Sequence, residues 1–256
     1  MTSIREWRPP PKAMSLLLPP GMTYTDHTGE ECEALGTGII VLCGAARSGK
    51  TTTALALMDW LTTATGAARD LAFIGMPGRF LEALPPHMQK VSCNPDMGEL
   101  ATLRDAVVLL DDTATRLSSR DASSHSNRLI NRASGIISHL GLTLILTTQS
   151  MASVDVALLR SVELCPLLKR IDPMALRVDR SQWIHELSEA QEVLATVNFD
   201  RSFLYSVPDG LLCRFPFPAW LAPDDLEPWR ADILSRPFRY MEQKEIDALI
   251  SRGQKD

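Results

Sequence analysis

One stretch of the chain, residues 38–60, constrains the fold more than any other. It begins with the apolar run Gly38–Cys43, continues through the turn sequence GAARSGKT at residues 44–51, and ends in a segment with apolar residues at helical spacing. The turn fits G-x-x-x-x-G-K-[ST], the Walker A pattern, in which main-chain N–H groups bind phosphates, the lysine reaches the β- and γ-phosphates and the last hydroxyl binds Mg²⁺. The sequence therefore predicts a strand, a phosphate-binding loop and a helix.

This pattern predicts that a nucleotide and Mg²⁺ bind here, and it gives the loop residues their roles. Lys50 is predicted to be a catalytic cation, and Thr51 a ligand of the metal. The residues predicted to contact the nucleotide are Gly44, Ala45, Ala46, Arg47, Ser48, Gly49, Lys50, Thr51 and Thr52.

Length and composition are those of an ordinary globular α/β protein. The chain has 256 residues, a net charge of −5 and no apolar run long enough to cross a bilayer. Its N-terminus lacks the basic and then apolar pattern of a secretory signal, so we expect a cytoplasmic location. The five cysteines form no C-x-x-C pair and the five histidines lack metal-ligand spacing, which argues against a disulfide framework and a zinc site. A contact with nucleic acid would need a local basic patch or a pore made by several subunits.

The pattern of elements divides the chain into three parts. We expect an irregular, proline-rich N-terminal arm at 1–36, a core with a β-hairpin at 37–222 and a helical tail at 223–256. Because strands alternate with helices in the core, the predicted fold class is α/β with a mostly parallel sheet flanked by helices. The predicted strands after the first are 71–76, 106–110, 142–149 and 162–171, the last placed at a sheet edge by Pro166, with helices at 128–140 and 183–197 and the hairpin at 201–215.

An acidic pair, Asp111 and Asp112, ends the apolar strand at 106–110. A carboxylate that follows a buried strand can complete a phosphate-loop site, the arrangement known as Walker B. Asp111 is predicted to be a metal ligand, and Asp112 a base that orients or deprotonates the attacking water. The alternative is that the pair merely caps the following turn.

Gln149 ends the fourth strand, at the edge where open α/β sheets bind their ligands. Its amide could hydrogen-bond the γ-phosphate or the attacking water, or could simply be exposed to solvent.

Phosphoryl transfer also needs a cation at the γ-phosphate, often an arginine from a neighbouring subunit. Arg128 and Arg132 share a helix face at i, i+4 spacing and are the preferred pair, although a solvated face would look the same. The other candidates are Arg116, Arg120 and Arg160.

Together these motifs resemble those of the FtsK/HerA group of P-loop ATPases. Within that group, the chain is most similar in size to the small genome-packaging ATPases of membrane-containing icosahedral viruses. The resemblance rests on the phosphate loop, Asp111-Asp112, the arginine-bearing helix, Thr147–Ser150 and the hairpin with its following aromatic stop, over residues 36–222. It implies an additional-strand (ASCE) fold with strand order 5-1-4-3-2, a ring of identical subunits with interfacial ATP sites, and DNA threaded through the centre. The loop departs from the group's common Thr-Gly-Ser stretch, and Asp112 stands where Glu is commoner.

The predicted function is therefore an ATP-hydrolysing motor that translocates or packages double-stranded DNA. The expected partners are that DNA, a homo-oligomeric ring of five or six copies with an arginine acting in trans, and a viral capsid or membrane vertex protein, with the host cytoplasm or virion vertex as the location. An alternative is a regulatory ATPase switch that acts in transposition or secretion assembly. A third hypothesis is a small-molecule or nucleoside kinase. It is disfavoured because kinases usually carry an arginine-rich lid near the transferred phosphate, whereas the arginines here lie on a helix before a strand that ends in Gln149.

Overall fold

The computed structural model describes residues 8–66, 68–74, 84–88, 102–111, 137–154, 156–160, 163–179, 181–215 and 220. Apart from Trp220, they belong to one compact unit, Met1–Pro218. The strands are β1 (Thr23–Thr25), β2 (Glu31–Glu33), β3 (Gly38–Cys43), β4 (Asp70–Ile74), β5 (Ala106–Leu110), β6 (Thr143–Thr148), β7 (Leu164–Leu168), β8 (Phe203–Ser206) and β9 (Leu211–Arg214). The helices are α1 (Pro11–Leu17), α2 (Lys50–Thr65), α3 (Ile137–Leu140), α4 (Val156–Leu159), α5 (Pro173–Val178) and α6 (Ile184–Ala195).

A seven-stranded sheet in the order β4-β5-β6-β3-β7-β8-β9 forms the centre of the fold. The first five strands in this order pair in parallel, and β8 and β9 add an antiparallel hairpin at one side. If the parallel strands are numbered along the chain, the order is 5-1-4-3-2, as the resemblance implied. The predicted fold class, mostly parallel α/β with a C-terminal hairpin, is confirmed.

The core lies on both faces of the parallel strands. All residues of β3, β5 and β6 are buried, which agrees with the continuous apolar runs expected of parallel strands covered on both sides. Helix α2 buries the run Thr53–Met58 and ends at Gly66, whose left-handed φ of 62° terminates it. Helix α6 buries Leu187, Ala190 and Leu194 at helical spacing. These elements fix the strand ends that carry the polar residues.

The sequence predicted an irregular N-terminal arm, but part of this segment has regular secondary structure. Pro11 occupies the first position of α1, where its missing N–H group is no loss, and β1 pairs with β2 in a short antiparallel ribbon. Helix α1 is fixed by the buried side chain of Arg69, which donates to the carbonyls of Leu16 and Leu17 at 3.0 Å each. The apolar residues that looked like part of an arm are therefore core residues.

Strand β7 lies inside the sheet between β3 and β8, so the predicted edge position of Pro166 is wrong. Proline is tolerated there because β8 pairs only with the end of β7: the registered pairs are Leu167 with Ser206 and Leu168 with Tyr205. Pro166 flanks these pairs, and its carbonyl accepts from the N–H group of Val207 at 3.1 Å. Its missing N–H group therefore removes only the last bond of that ladder.

The other predicted strands and the helix at 183–197 are confirmed within the described residues. For the helix at 128–140, the structure describes only Ile137–Leu140, which are helical. The helical tail at 223–256 lies outside the described residues. Among the helices that the structure describes, none is long and apolar enough to cross a membrane. Cys32, Cys43, Cys165 and Cys213 are free thiols.

Candidate nucleotide-binding site

The predicted phosphate loop connects β3 to α2 and is shaped by two glycines. Gly49 has φ 90° and directly precedes the first helical residue, Lys50. At Gly44, an added Cβ atom would lie 2.8 Å from the Ser48 hydroxyl and 2.9 Å from the Lys169 Cβ atom, so no side chain fits there. Arg47 also adopts a left-handed φ of 61°, a conformation that is uncommon outside glycine and concentrates at functional sites.

Some main-chain N–H groups of the loop are already paired. Those of Gly44 and Ala45 donate to the carbonyls of Thr148 and Arg170, at 3.1 and 2.6 Å, and so attach the loop to the end of β6 and to the segment after β7, while that of Ser48 donates to the carbonyl of Ala45 at 3.2 Å. The N–H groups in the first turn of α2 have no carbonyl partner within the helix, since the bonding pattern begins four residues later. These N–H groups, together with the positive end of the helix dipole, can bind an anion.

Two further groups fit a phosphate at this loop. The ammonium group of Lys50 donates to the carbonyls of Gly44 and Ala45 at 2.8 Å each, so it lies across the loop. The hydroxyl of Ser48 is buried and, among the residues described, has no hydrogen-bond partner. A buried polar atom without a partner is rare in folded proteins, and a bound ligand is one explanation.

The side chain of Asp111 lies beside the loop, one residue after β5. Its Oδ1 atom accepts from the hydroxyl of Thr51 and from that of Thr147, at 2.8 Å each. The structure thus brings together Thr51 and Asp111, the two residues predicted to bind Mg²⁺, from positions 60 residues apart in the sequence. A carboxylate and a hydroxyl are oxygen ligands of the kind that Mg²⁺ prefers, the remaining positions being taken by phosphates and water. The residues present therefore fit the metal.

The sequence assigned no role to Thr147, which was named only within the segment Thr147–Ser150, and the structure places its hydroxyl against Asp111. It is 1% exposed, so its hydroxyl is fixed in place. The signal available in the sequence was its position near the end of a strand that neighbours the strand of Asp111.

Gln149 follows β6 and is exposed at the same edge of the sheet. The segment after it is fixed by Asp179, whose Oδ2 atom accepts from the hydroxyl of Ser150 at 2.9 Å and from the N–H group of Met151 at 3.1 Å. Asp179, the residue after α5, was not identified from the sequence, since no local pattern connects it to a segment 28 residues away.

Lys169 is a second lysine at the loop that the sequence did not reveal. It follows β7, is 1% exposed, and burial lowers the pKa of its ammonium group to about 7. Its Nζ atom donates to the hydroxyl of Thr53 in α2 at 3.1 Å and to the carbonyl of Arg201 at 2.6 Å.

The remaining predicted site residues lie outside the described part of the chain. These are Asp112, Arg128 and Arg132, together with the further candidates Arg116 and Arg120. Their roles stay predictions. Arg160 is described, follows α4 and is exposed.

No protein-family model matches the chain, and no curated protein sequence matches it. Among solved structures, it is similar to the genome packaging NTPase B204 from Sulfolobus turreted icosahedral virus 2 in complex with AMP, at 17% identity and a TM-score of 0.49, over 71% of this chain and 98% of that chain.

Two further structures are similar to a smaller part of the chain. The N-terminal domain of zonular occludens toxin from Neisseria meningitidis has 18% identity and a TM-score of 0.39, over 54% of this chain and 79% of that one. The cytoplasmic domain of EssC has 16% identity and a TM-score of 0.43, over 64% and 39%.

Proposed function

We propose that the chain is a Mg²⁺-dependent ATPase, which hydrolyses ATP to ADP and phosphate and acts as a motor on double-stranded DNA. One observation carries the enzymatic part: the carboxylate of Asp111 is shared by the hydroxyls of Thr51 and Thr147, at 2.8 Å each, beside a glycine-shaped loop. A hydroxyl at the start of the helix that follows the loop and a carboxylate at the end of another strand of the same sheet are the metal ligands of phosphate-loop enzymes.

Different residues of the site would bind the phosphates, bind the metal and orient the attacking water. The N–H groups at the start of α2 bind phosphate oxygens, and Lys50 exchanges its two loop carbonyls for phosphate oxygens. Thr51 and Asp111 bind Mg²⁺, which when present supplies positive charge against the terminal phosphates. Asp112 orients and deprotonates the attacking water, and Gln149 contacts that water or the γ-phosphate; both roles come from the sequence motifs.

The DNA and the ring are proposed from the resemblance of the motifs to the FtsK/HerA group. Arg128 and Arg132 would then act on the ATP site of the neighbouring copy in a ring of five or six. With a net charge of −5, a single copy is a poor electrostatic partner for DNA, whereas a ring can concentrate basic residues in its pore. A capsid or membrane vertex protein, met in the host cytoplasm or at the virion, would complete the packaging machinery.

The test is steady-state ATP hydrolysis, with and without Mg²⁺ and double-stranded DNA. We expect Mg²⁺-dependent turnover that DNA stimulates and that Lys50→Ala lowers by at least about 100-fold, a typical effect of removing one charge-stabilising group. Asp112→Asn should lower turnover and leave nucleotide affinity nearly unchanged. Lys12→Ala is the matched control, because Lys12 is paired with Glu163 at 2.7 Å, at the other end of β7.

Four outcomes would overturn parts of the proposal. Failure to bind any nucleotide would overturn the enzyme itself. Turnover and ring formation that are both indifferent to DNA would overturn the motor, and slow turnover with nucleotide-dependent oligomers would favour the regulatory switch. A phosphorylated small product would show a kinase.

A further inference from the structure

Lys169 is a buried lysine for which the proposed chemistry has no use. Its side chain is 1% exposed, its two hydrogen-bond acceptors are a hydroxyl and a carbonyl, and its Nζ atom lies 4.3 Å from the centroid of the Phe215 ring. Within the part of the chain that the structure describes, all three contacts are with uncharged groups. A buried ammonium group that lacks a carboxylate partner at hydrogen-bond distance is costly, and an apolar side chain of similar length would normally be more stable. A function at this position would explain why a lysine occupies it.

The Lys169 side chain lies against the phosphate loop. An added Cβ atom at Gly44, the first loop residue, would lie 2.9 Å from the Lys169 Cβ atom, and one at Gly49, before α2, would lie 3.8 Å from its Cε atom. The main chain follows the same course, since the N–H group of Lys169 donates to the carbonyl of Cys43 at 2.8 Å. The lysine therefore lies close to the loop at both of its ends.

A short chain of hydrogen bonds connects the ammonium group to the first turn of α2. Lys169 Nζ donates to Thr53 Oγ1 at 3.1 Å, and the same hydroxyl donates to the carbonyl of Gly49 at 2.8 Å. That carbonyl also accepts the N–H group of Thr53 at 2.9 Å. On its other side, Lys169 bonds the carbonyl of Arg201, in the segment that leads into β8. The ammonium group thus joins the start of α2 to the C-terminal hairpin.

We propose that Lys169 is a positioning residue for the phosphate loop, and that it takes up a proton when a nucleoside triphosphate binds to the loop. The inference rests on the nucleotide binding proposed above. The ammonium form donates to Thr53 and Arg201 together and adds positive charge beneath the bound phosphates. The neutral amine supplies no charge, so phosphate binding and protonation favour each other.

Burial and several charged groups around Lys169 determine the pKa of its ammonium group. Burial is the largest influence and lowers its pKa to about 7, the charge of Asp200 raises the pKa, and Lys50 lowers it. Arg170 follows Lys169 directly in the chain, and Arg201 lies just before β8, where its carbonyl accepts from the Lys169 Nζ atom. At pH 7.5 a lysine with this pKa is largely neutral, so binding that protonates it takes up a substantial fraction of one proton per nucleotide.

Isothermal titration calorimetry measures this uptake directly. A non-hydrolysable ATP analogue with Mg²⁺ is titrated at pH 7.5 into the full chain, in phosphate and in Tris buffer, whose ionisation enthalpies differ greatly. The variants are Lys169→Met, which keeps the length and removes the charge, and Lys169→Arg, which keeps the charge and does not titrate. Lys12→Met is the matched control for the loss of one lysine, because Lys12 lies in α1 and is paired with Glu163, which precedes β7.

In the natural chain and in Lys12→Met, the heat of binding should differ between the two buffers, which shows proton uptake. In both Lys169 variants this proton uptake should be smaller, by a substantial fraction of one proton. Lys169→Met should also weaken binding about tenfold, and Lys169→Arg should recover part of that loss. The protons of the nucleotide itself cancel in the comparison. Equal proton uptake in the natural chain and in Lys169→Met would overturn the inference, whereas absence of binding to the natural chain would overturn the proposed function instead.

A second measurement covers the case in which the Lys169 variants do not fold, as judged by thermal unfolding. The affinity of the natural chain for the analogue, measured from pH 6.5 to 8.5, should fall as the pH rises, towards a tenfold loss per pH unit. An affinity that stays constant or rises across this range would equally overturn the inference.

Discussion

Replacing Arg69 by methionine tests how the N-terminal helix is attached to the sheet. The Arg69 guanidinium is 2% exposed and makes five hydrogen bonds. Nη1 donates to the carbonyls of Leu16 and Leu17 and to the hydroxyl of Thr143, at 2.9–3.0 Å, and Nη2 donates to the carbonyls of Ala106 and Gly141. One side chain therefore connects α1, β5 and the start of β6.

The size of the effect follows from these bonds and from the burial of the charge. Hydrogen bonds from a charged donor contribute at least about 1.5 kcal/mol each. Nη1 and Nη2 carry four N–H groups, which the five acceptors share, so the gain is about 6 kcal/mol. Burial lowers the pKa of Arg69 from 12.5 to about 10, which offsets about 3.4 kcal/mol of that gain at 1.36 kcal/mol per pH unit. We therefore expect Arg69→Met to lower the free energy of unfolding by about 3 kcal/mol, a large part of the stability of an ordinary domain.

Urea unfolding, followed by circular dichroism, measures this loss. Arg177→Met is the control, because Arg177 is exposed in the last turn of α5 and should cost no more than about 0.5 kcal/mol. Hydrogen exchange should also show α1 released before the sheet opens, since Leu16 and Leu17 lose their anchor. A loss below about 1 kcal/mol in Arg69→Met, with an unchanged dependence on urea, would refute the reasoning.

Three further predictions concern the site. Thr147→Val, which keeps the shape and removes a donor to Asp111, should lower Mg²⁺-dependent turnover about tenfold while the free energy of unfolding changes by about 1 kcal/mol; unchanged turnover would show that the hydroxyl is dispensable. Asp179→Asn, which weakens the hold on the segment after Gln149, should lower kcat about tenfold with little change in nucleotide affinity, as single-turnover and binding assays would show. Burial lowers the pKa of Lys169 from 10.5 to about 7, so the unfolded chain binds more protons between these values and the free energy of unfolding should rise with pH from 7 to 10. Urea titrations of the natural chain should show this rise relative to Lys169→Met, and parallel curves would contradict it.

The sequence predicted most of the sheet because its strands are continuous apolar runs. Strands β3, β5 and β6 needed no knowledge of their neighbours, since a run buried on both faces differs from its surroundings in composition alone. The pairing of Thr51 with Asp111 was likewise predictable, because parallel strands place their carboxyl ends at one edge.

What the sequence did not reveal depends on contacts between distant segments. Arg69 and Lys169 were not singled out as buried, since arginine and lysine are almost never fully buried. Their burial depends on acceptors far away in the chain: Lys169 lies 116 residues from Thr53, and Arg69 lies 74 residues from Thr143. Pro166 was misplaced for the same reason, because the extent of β8 cannot be known from β7 alone.

The place of β3 in the strand order has a consequence for synthesis on the ribosome. Its neighbours are β6 and β7, so Gly38–Cys43 must wait for residues 143–168 to be translated before either edge is paired. At about 5–20 residues per second, the delay is several seconds or more. During that time an apolar strand with two open edges is exposed, which makes the nascent chain a client for chaperones and predicts slow refolding of the isolated protein. The strand that carries the phosphate loop is thus among the first parts made and among the last that can be completed.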